Sequence, residues 1–123
     1  MFFNQQKLDD FLDLLDDEII HHINQGDIQK GKAAFREFMF RMNQCYQETI
    51  EDIVIMTSEY DPHRAASEFT VIGTYLSTDS GLPVANNQKY KLTGGAFFEI
   101  KNNKIIRVTN YYNMNEWLKQ IKE

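Results

Sequence analysis

The chain has 123 residues, a net charge of −5 and a pI near 5.2, with 42% hydrophobic and 25% charged residues. These values predict one domain over residues 1–123 with a buried core, and the acidic balance argues against a nucleic-acid partner, which needs a basic surface. No apolar run approaches the roughly 20 residues that span a bilayer, and the N-terminus lacks a secretory signal pattern. The single Cys45 cannot form an internal disulfide. We therefore expect a cytoplasmic protein that does not bind membranes.

The first part of the chain predicts two helices with a strand between them. Residues Lys7 to Leu15 place apolar side chains at helical spacing, and Glu18 to Asn24 alternates as a short strand. Gly26 and Gly31 bracket a polar loop. Lys32 to Gln47 then predicts a second helix, whose apolar stripe is typical of core packing: Phe35, Phe38, Met39, Met42 and Tyr46.

Strands dominate the rest of the chain. Thr49 to Thr57 and Arg64 to Ser77 predict two strands separated by a turn at Asp61-Pro62, with Gly73 as a bulge or bend in the second. The polar segment Thr78 to Lys89 predicts a long loop, and loops of this length tend to be lids or pocket rims.

The last third of the chain predicts a hairpin followed by a helix. Tyr90 to Ile100 and Lys104 to Asn113 flank Asn102-Asn103, and Asn tolerates the positive φ that a tight hairpin turn requires. The period then changes to that of a short closing helix around Trp117. The element order predicts an α+β fold in which a curved sheet, bent at Gly73 and the Gly94-Gly95 pair, wraps around helices and leaves a cavity.

Four segments in this order resemble one known superfamily: LLDDEIIHHINQG, GKAAFREFM, ASEFTVIGTY and GGAFFEIKNNKIIRVTNYYN. The chain is similar over nearly its whole length to nuclear transport factor 2-like proteins, specifically the branch of ketosteroid isomerases and SnoaL-like polyketide cyclases. The resemblance implies a cone-shaped α+β fold. It does not select a function, because the superfamily includes isomerases, cyclases, dehydratases and non-catalytic binding domains.

The resemblance also implies a shortened first helix. Family members usually carry a full helix before the segment that matches Phe2-Phe3-Asn4, where this chain begins. Either the start is genuinely short, which leaves the cone less covered, or the true start lies upstream. The helix-borne Tyr that donates to the oxyanion in the isomerases therefore has no matching position.

Two other isomerase positions can be carried over. The general base of the isomerases, an Asp at the end of the first strand, falls on His22, or on His21 if the register shifts by one residue. The second oxyanion donor, a protonated Asp in ketosteroid isomerase, falls on Gly95, which has no side chain. We therefore do not expect authentic steroid isomerisation.

The resemblance places further residues around the cavity. His22 could accept a proton at neutral pH, since a histidine has an unperturbed pKa of about 6.5, while Asn110 and Tyr112 could donate hydrogen bonds to a carbonyl or enolate oxygen. The alternative is that these side chains only pack and pair with the backbone. The other predicted ligand-binding residues share the same strand parity or lie at the pocket mouth beneath the long loop: Phe69, Val71, Gly73, Gly95, Phe97 and Val108, with Tyr75 and Tyr111 at the mouth.

Glu68 falls on the opposite face of its strand, where Arg64 or Arg107 could pair with it. Because sheets of this family commonly dimerise through the convex face, we expect a homodimer formed there. Histidine and cysteine spacing predicts no metal site, and the resemblance implies no cofactor.

Two functional hypotheses therefore stand. The first is a cofactor-free acid/base enzyme of the isomerase, cyclase or dehydratase type that acts on a small hydrophobic carbonyl compound. The second is a non-catalytic module of the same fold that binds a hydrophobic ligand or dimerises.

Overall fold

The computed structural model describes residues 5–24 and 26–122. Within these ranges the secondary structure is α1 (Gln5–Leu12), β1 (Leu15–His22), β2 (Ile28–Lys30), α2 (Lys32–Cys45), β3 (Tyr46–Thr57), β4 (Arg64–Tyr75), β5 (Gln88–Lys101), β6 (Lys104–Tyr112) and α3 (Met114–Lys122). α1 ends earlier than predicted because Leu15 already belongs to β1. The prediction about Phe2-Phe3-Asn4 lies outside the described residues.

The strands form one sheet in the order β2-β1-β6-β5-β4-β3. β1 is parallel to β6, and every other neighbouring pair is antiparallel. α2 packs on one face through Phe35 and Met39, and α3 packs on the same face through Trp117. We call this the inner face and the opposite, convex one the outer face. The predicted α+β arrangement of a sheet around helices is confirmed.

The core on the inner face has two parts. The first lies between α1, β1 and α2 and consists of Leu8, Leu12, Leu15, Ile19, Phe35, Met39 and Val108. The second lies under α3 and is rich in rings: Cys45, Tyr46, Tyr75, Tyr90, Leu92, Trp117 and Ile121. The stripe predicted for the second helix therefore packs in the core, but α2 ends at Cys45, so Tyr46 belongs to β3 and not to the helix as predicted.

Two glycines in the central strands make room for aromatic rings. Gly73 pairs with Tyr90, and Gly94 pairs with Phe69, both without a shift in register. A Cβ atom at Gly73 would lie 2.3 Å from Tyr90 Cζ, and one at Gly94 would lie 2.7 Å from Phe69 Cε2. Of the predicted bulge or bend at Gly73, the bulge is wrong: the strands stay in register, and the missing side chain accommodates a ring from the next strand.

The register shifts lie at other positions. One falls in β3 between Glu51 and Val54, around Asp52, which has a φ of 52°. Another falls in the β5–β6 pair between Glu99 and Ile100. These shifts change which residues of a strand share a face, because side chains alternate along a strand.

The turns agree with the sequence at one position and differ at another. Asn102 and Asn103 have φ values of 53° and 63°, which confirms the predicted hairpin turn. The segment between Gly26 and Gly31, predicted as a loop, contains the short strand β2, which pairs with the end of β1. The sequence analysis missed this edge strand because its composition is polar, and an exposed strand needs no apolar pattern.

The long loop between β4 and β5 is fixed to the core by Tyr75. The tyrosine hydroxyl donates to the Pro83 carbonyl oxygen at 2.7 Å and accepts from the Asp79 backbone N–H at 2.9 Å. Tyr75 is completely buried. It therefore lies beneath the loop, but within the core and not at the mouth of a pocket as predicted.

The Gly73→Ala substitution should destabilise the protein by about 2 kcal/mol, because the new methyl group would overlap the Tyr90 ring. Urea unfolding would measure this loss. In a Tyr90→Leu background the same substitution should cost less, because the ring is gone. Equal losses in both backgrounds would contradict the proposed packing.

Candidate functional site

The predicted site residues divide between the two faces of the sheet. The register pairs Ala96 with Asn110 and Ser67 with Ala96, so these side chains share the inner face. Gly95 pairs with both Glu68 and Tyr111, which places those residues on the outer face. The predicted common cavity-facing parity is therefore wrong for part of the set.

His21 is the histidine that faces the helices. It is 1% exposed, and its ring centroid lies 4.5 Å from that of Phe35 and 4.8 Å from that of Phe38. Burial in this apolar environment, with a smaller contribution from His22, lowers its pKa to about 4. His21 is therefore neutral at physiological pH.

One nitrogen of His21 has a partner and the other does not. His21 Nε2 lies 3.2 Å from Asn110 Nδ2, within hydrogen-bond distance of the amide. His21 Nδ1 is buried and has no hydrogen-bond partner among residues 5–24 and 26–122. Which nitrogen carries the hydrogen depends on the orientation of the amide. In either tautomer Nδ1 is the nitrogen that remains for a ligand.

His22 does not join this pair. In the pairing between β1 and β6, His22 pairs with Thr109 and His21 pairs with Val108. Successive side chains in β1 point to opposite faces of the sheet. His22 is half-buried on the face away from Asn110. The prediction that His22 faces the cavity with Asn110 is wrong, and the alternative residue, His21, takes that position.

Tyr112 lies next to Asn110 on the inner face of β6. Its backbone N–H donates to Asn24 Oδ1 at 3.0 Å, so the Asn24 side chain pairs with β6 beyond the end of β1. The Tyr112 hydroxyl lies 3.6 Å from Met114 Sδ. Burial, and then the charge of Glu48, raise the pKa of Tyr112, so its hydroxyl stays a hydrogen-bond donor at neutral pH.

Glu48 and Tyr90 form a second polar pair that the sequence analysis missed. The Tyr90 hydroxyl donates to Glu48 Oε2 at 2.6 Å, across the space that Gly73 leaves open. Burial and the Glu48 carboxylate raise the pKa of Tyr90. Glu48 in β3 and Tyr90 in β5 are separated by a whole strand, so no local sequence signal connects them.

The remaining predicted residues have different surroundings. Val108 is buried in the first core cluster and Val71 packs against the second, while Phe69 covers Gly94. On the outer face, Phe97 is 42% exposed and Tyr111 is 59% exposed, with ring centroids 5.8 Å apart. Gly95 and Phe97 therefore face away from the helices, and Tyr111 does not lie beneath the long loop.

The outer face carries an open groove of about 560 Å³, whose walls include Met56, Glu68, Phe97 and Tyr111. Neither of the two arginines predicted to pair with Glu68 does so among the described residues: Arg107 Nε lies 3.3 Å from Glu99 Oε1, and Arg64 forms no ion pair with Glu68. Glu99 is the cross-strand partner of Arg107 on the same face, which explains why Arg107 pairs with Glu99 and not with Glu68.

The described part of the chain has neither a metal-binding cluster nor a membrane-spanning helix. Within residues 5–24 and 26–122 no cluster of histidine, cysteine or acidic side chains could hold a metal ion. None of the helices in the same ranges is long and apolar enough to cross a membrane.

Comparison with known proteins identifies the family. A family model described as a SnoaL-like domain matches residues 2–108. The chain belongs to the SnoaL-like domain family. A candidate polyketide cyclase from Pseudomonas putida KT2440 is 54% identical, with a TM-score of 0.91 over 96% of this chain and 88% of that one. Another, from Silicibacter sp. TM1040, is 46% identical, with a TM-score of 0.91 over 97% of this chain and 86% of that one.

A distant structural relative confirms the fold of this SnoaL-like domain. An NTF2-like protein from Burkholderia xenovorans LB400 is 12% identical, with a TM-score of 0.75 over 97% of this chain and 86% of that one. The predicted SnoaL-like family is therefore confirmed, and so is the predicted cone fold that this chain shares with the NTF2-like protein. No curated protein matches the sequence.

His21 should make the stability of the SnoaL-like domain fall as the pH falls from 7 to 5. The unfolded chain binds a proton on His21 below its ordinary pKa of 6.5, whereas the folded chain binds it only near pH 4, so acid favours unfolding. The expected loss through this group is about 2 kcal/mol over that range.

Urea unfolding at both pH values would measure this loss. His21→Gln should remove that part of the pH dependence, and substitution of the exposed His63 by Gln should not. An unchanged slope in His21→Gln would contradict a lowered pKa of His21.

Proposed function

We propose that this SnoaL-like protein is a cofactor-free enzyme that transfers a proton on a small hydrophobic carbonyl compound, with His21 as the proton-transferring group. The observation that supports this function is the neutral, buried His21 ring. Its Nδ1 atom has no partner within the described residues, and its Nε2 atom lies beside Asn110. A buried polar atom without a partner costs stability, and such costs are typical of functional sites.

In the proposed reaction, His21 Nδ1 accepts a proton from the carbon next to the carbonyl group. The C–H bond breaks, its electron pair moves to form an enolate, and the new N–H bond makes an imidazolium ion. This step requires the Asn110 amide in the orientation that places Oδ1, and not Nδ2, beside His21 Nε2. In that orientation the amide oxygen accepts from Nε2–H and stabilises the imidazolium ion. Because the pKa of His21 is low, the imidazolium ion readily returns the proton to another carbon of the enolate.

Tyr112 is the proposed donor to the enolate oxygen. Its hydroxyl lies on the same face of β6 as Asn110, and its raised pKa keeps the hydroxyl protonated. Donors aimed at the developing negative charge lower the barrier of such reactions. Phe69, Val71 and Val108 supply apolar surface on that face, which favours a hydrophobic substrate. Only protons move in these steps, so they require no cofactor.

Solvent exchange would test this function. Incubation with cyclic ketones and enones in deuterated buffer should replace the hydrogen next to the carbonyl group, which proton NMR detects. His21→Ala should slow the exchange by roughly 10²- to 10⁴-fold, the usual contribution of a general base. Tyr112→Phe should slow it by a smaller factor.

His22→Ala is the matched control, since it changes the adjacent histidine on the opposite face. It should leave the exchange rate unchanged. Line broadening of the ligand without exchange would contradict the proton transfer and support a non-catalytic module that binds hydrophobic ligands.

We also propose that two copies associate through the outer face. Val54, Met56, Phe97 and Tyr111 expose 53%, 48%, 42% and 59% of their surfaces there, around the groove. Exposed apolar patches of this kind are typical of protein interfaces. The face is continuous across the central strands, so a second copy could cover it with the same residues in a two-fold dimer.

Phe97→Asp should weaken this dimer at least about tenfold, because the carboxylate would be buried between the copies. Analytical ultracentrifugation over a range of concentrations would measure the effect. Phe40→Asp is the control, because Phe40 is 55% exposed but belongs to α2. A wild-type protein that stays monomeric at all concentrations would contradict the proposal.

A further inference from the structure

His21 is closed off from solvent. It is 1% exposed, and the rings of Phe35 and Phe38 from α2 pack against it. A ligand can therefore reach Nδ1 only if a covering side chain moves. Phe35 is 3% exposed and belongs to the first core cluster, whereas Phe38 is half-buried and packs at the margin of that cluster. Phe38 is thus the cover that can move at lower cost.

Phe38 is held in place from the solvent side. The guanidinium carbon of Arg41 lies 5.5 Å from the centroid of the Phe38 ring, a cation–π distance. Arg41 Nε lies 3.6 Å from Asp79 Oδ1 in the long loop. The Tyr46 hydroxyl in turn donates to Asp79 Oδ2 at 2.9 Å. A chain of contacts therefore connects the loop to the ring that covers His21.

We propose that Phe38 is the gate to His21 and that Arg41, anchored by Asp79, is the latch that keeps the gate closed. Rotation of the Phe38 side chain opens the site while α2 keeps its place on the sheet. A ligand that enters replaces the ring of Phe38 beside the imidazole. The group it places there is therefore flat, apolar and close in size to a phenyl ring. This substrate class depends on the function proposed above, whereas the gate itself does not.

The strength of the latch sets the size of the expected effect. Asp79 is buried, but the Arg41 side chain is 53% exposed, so solvent screens its cation–π contact and its ion pair, and each changes an equilibrium only a few-fold. Loss of the Arg41 side chain should therefore raise the fraction of molecules with an open gate about three- to tenfold. Removal of the Phe38 ring should raise access to His21 further, because no gate remains.

Chemical labelling of histidine can measure the gate directly. Diethyl pyrocarbonate modifies unprotonated imidazole. Because His21 and His22 are adjacent, tandem mass spectrometry that fragments the peptide between them is needed to give a separate rate for each histidine. At pH 7, His21 should react more slowly than the half-buried His22 and the exposed His63. Those two residues then serve as internal references for protein that has lost its fold.

Arg41→Gln should accelerate the labelling of His21 about three- to tenfold while the rates of His22 and His63 stay constant. Arg36→Gln is the matched control, because Arg36 forms an ion pair from α2 to Asp9, at 3.1 Å, and not to the loop. Phe38→Ala should accelerate His21 labelling more than Arg41→Gln does. The same rate of His21 labelling in wild type and Arg41→Gln would overturn the latch.

A rate that also stays constant in Phe38→Ala would overturn the gate. Faster labelling of all three histidines in Phe38→Ala would show that the whole fold has loosened and would count against a local gate. The surface variant Arg41→Gln, which keeps the Phe38 ring, tests the gate independently of this loosening. Labelling needs no substrate and no turnover. An absence of deuterium exchange would therefore contradict the proposed reaction and leave the gate intact. Conversely, unchanged labelling of His21 in the variants would contradict the gate and leave the proposed reaction intact.

Discussion

The packing of the inner face depends on two aromatic rings that lie across glycines of neighbouring strands. Tyr90 covers Gly73 and Phe69 covers Gly94, and in both cases a single methyl group would overlap the ring. Because the Tyr90 ring crosses β4, its hydroxyl reaches Glu48 in β3 and connects three strands through side chains. Trp117 then packs against Tyr90, which positions α3 on the sheet.

The polar groups of the candidate site lie beside these rings on the same face. His21 and Asn110 lie next to the first core cluster, while Tyr112 lies towards the second, where the charge of Glu48 acts on its hydroxyl. An apolar side chain at position 21 would avoid the cost of burying the Nδ1 atom. This local conflict between packing and polarity is the physical reason why we propose His21 as a proton-transferring group.

The sheet separates two kinds of surface. Its inner face is covered by helices and contains the site, while the central strands of its outer face expose apolar side chains around an open groove. Gly95 illustrates the separation: its neighbours in the register are Glu68 and Tyr111, on the side away from His21. A ligand and a second copy of the chain would therefore not compete for the same residues.

The sequence by itself determined the features that depend on local contacts. The Asn102-Asn103 turn follows from the tolerance of Asn for positive φ, and the two longer helices follow from their periodicity. The four motifs and their order also identified the family, since motifs can be compared without coordinates. Within the candidate site, the sequence placed Asn110 and Tyr112 on one face of β6. It also limited the choice of the proposed base to two adjacent histidines, His21 and His22.

Only the tertiary structure decided which residues face the site. Side chains alternate along a strand, so a shift of one residue exchanges the two faces. Leu15, Ile19 and His21 are the buried positions of β1, and His21 packs against Phe35 of α2, whereas His22 points to the other face. The contact between Glu48 and Tyr90 likewise requires a third strand between them, with a glycine at the crossing point. Such shifts and contacts arise from packing between distant segments, which no local pattern records.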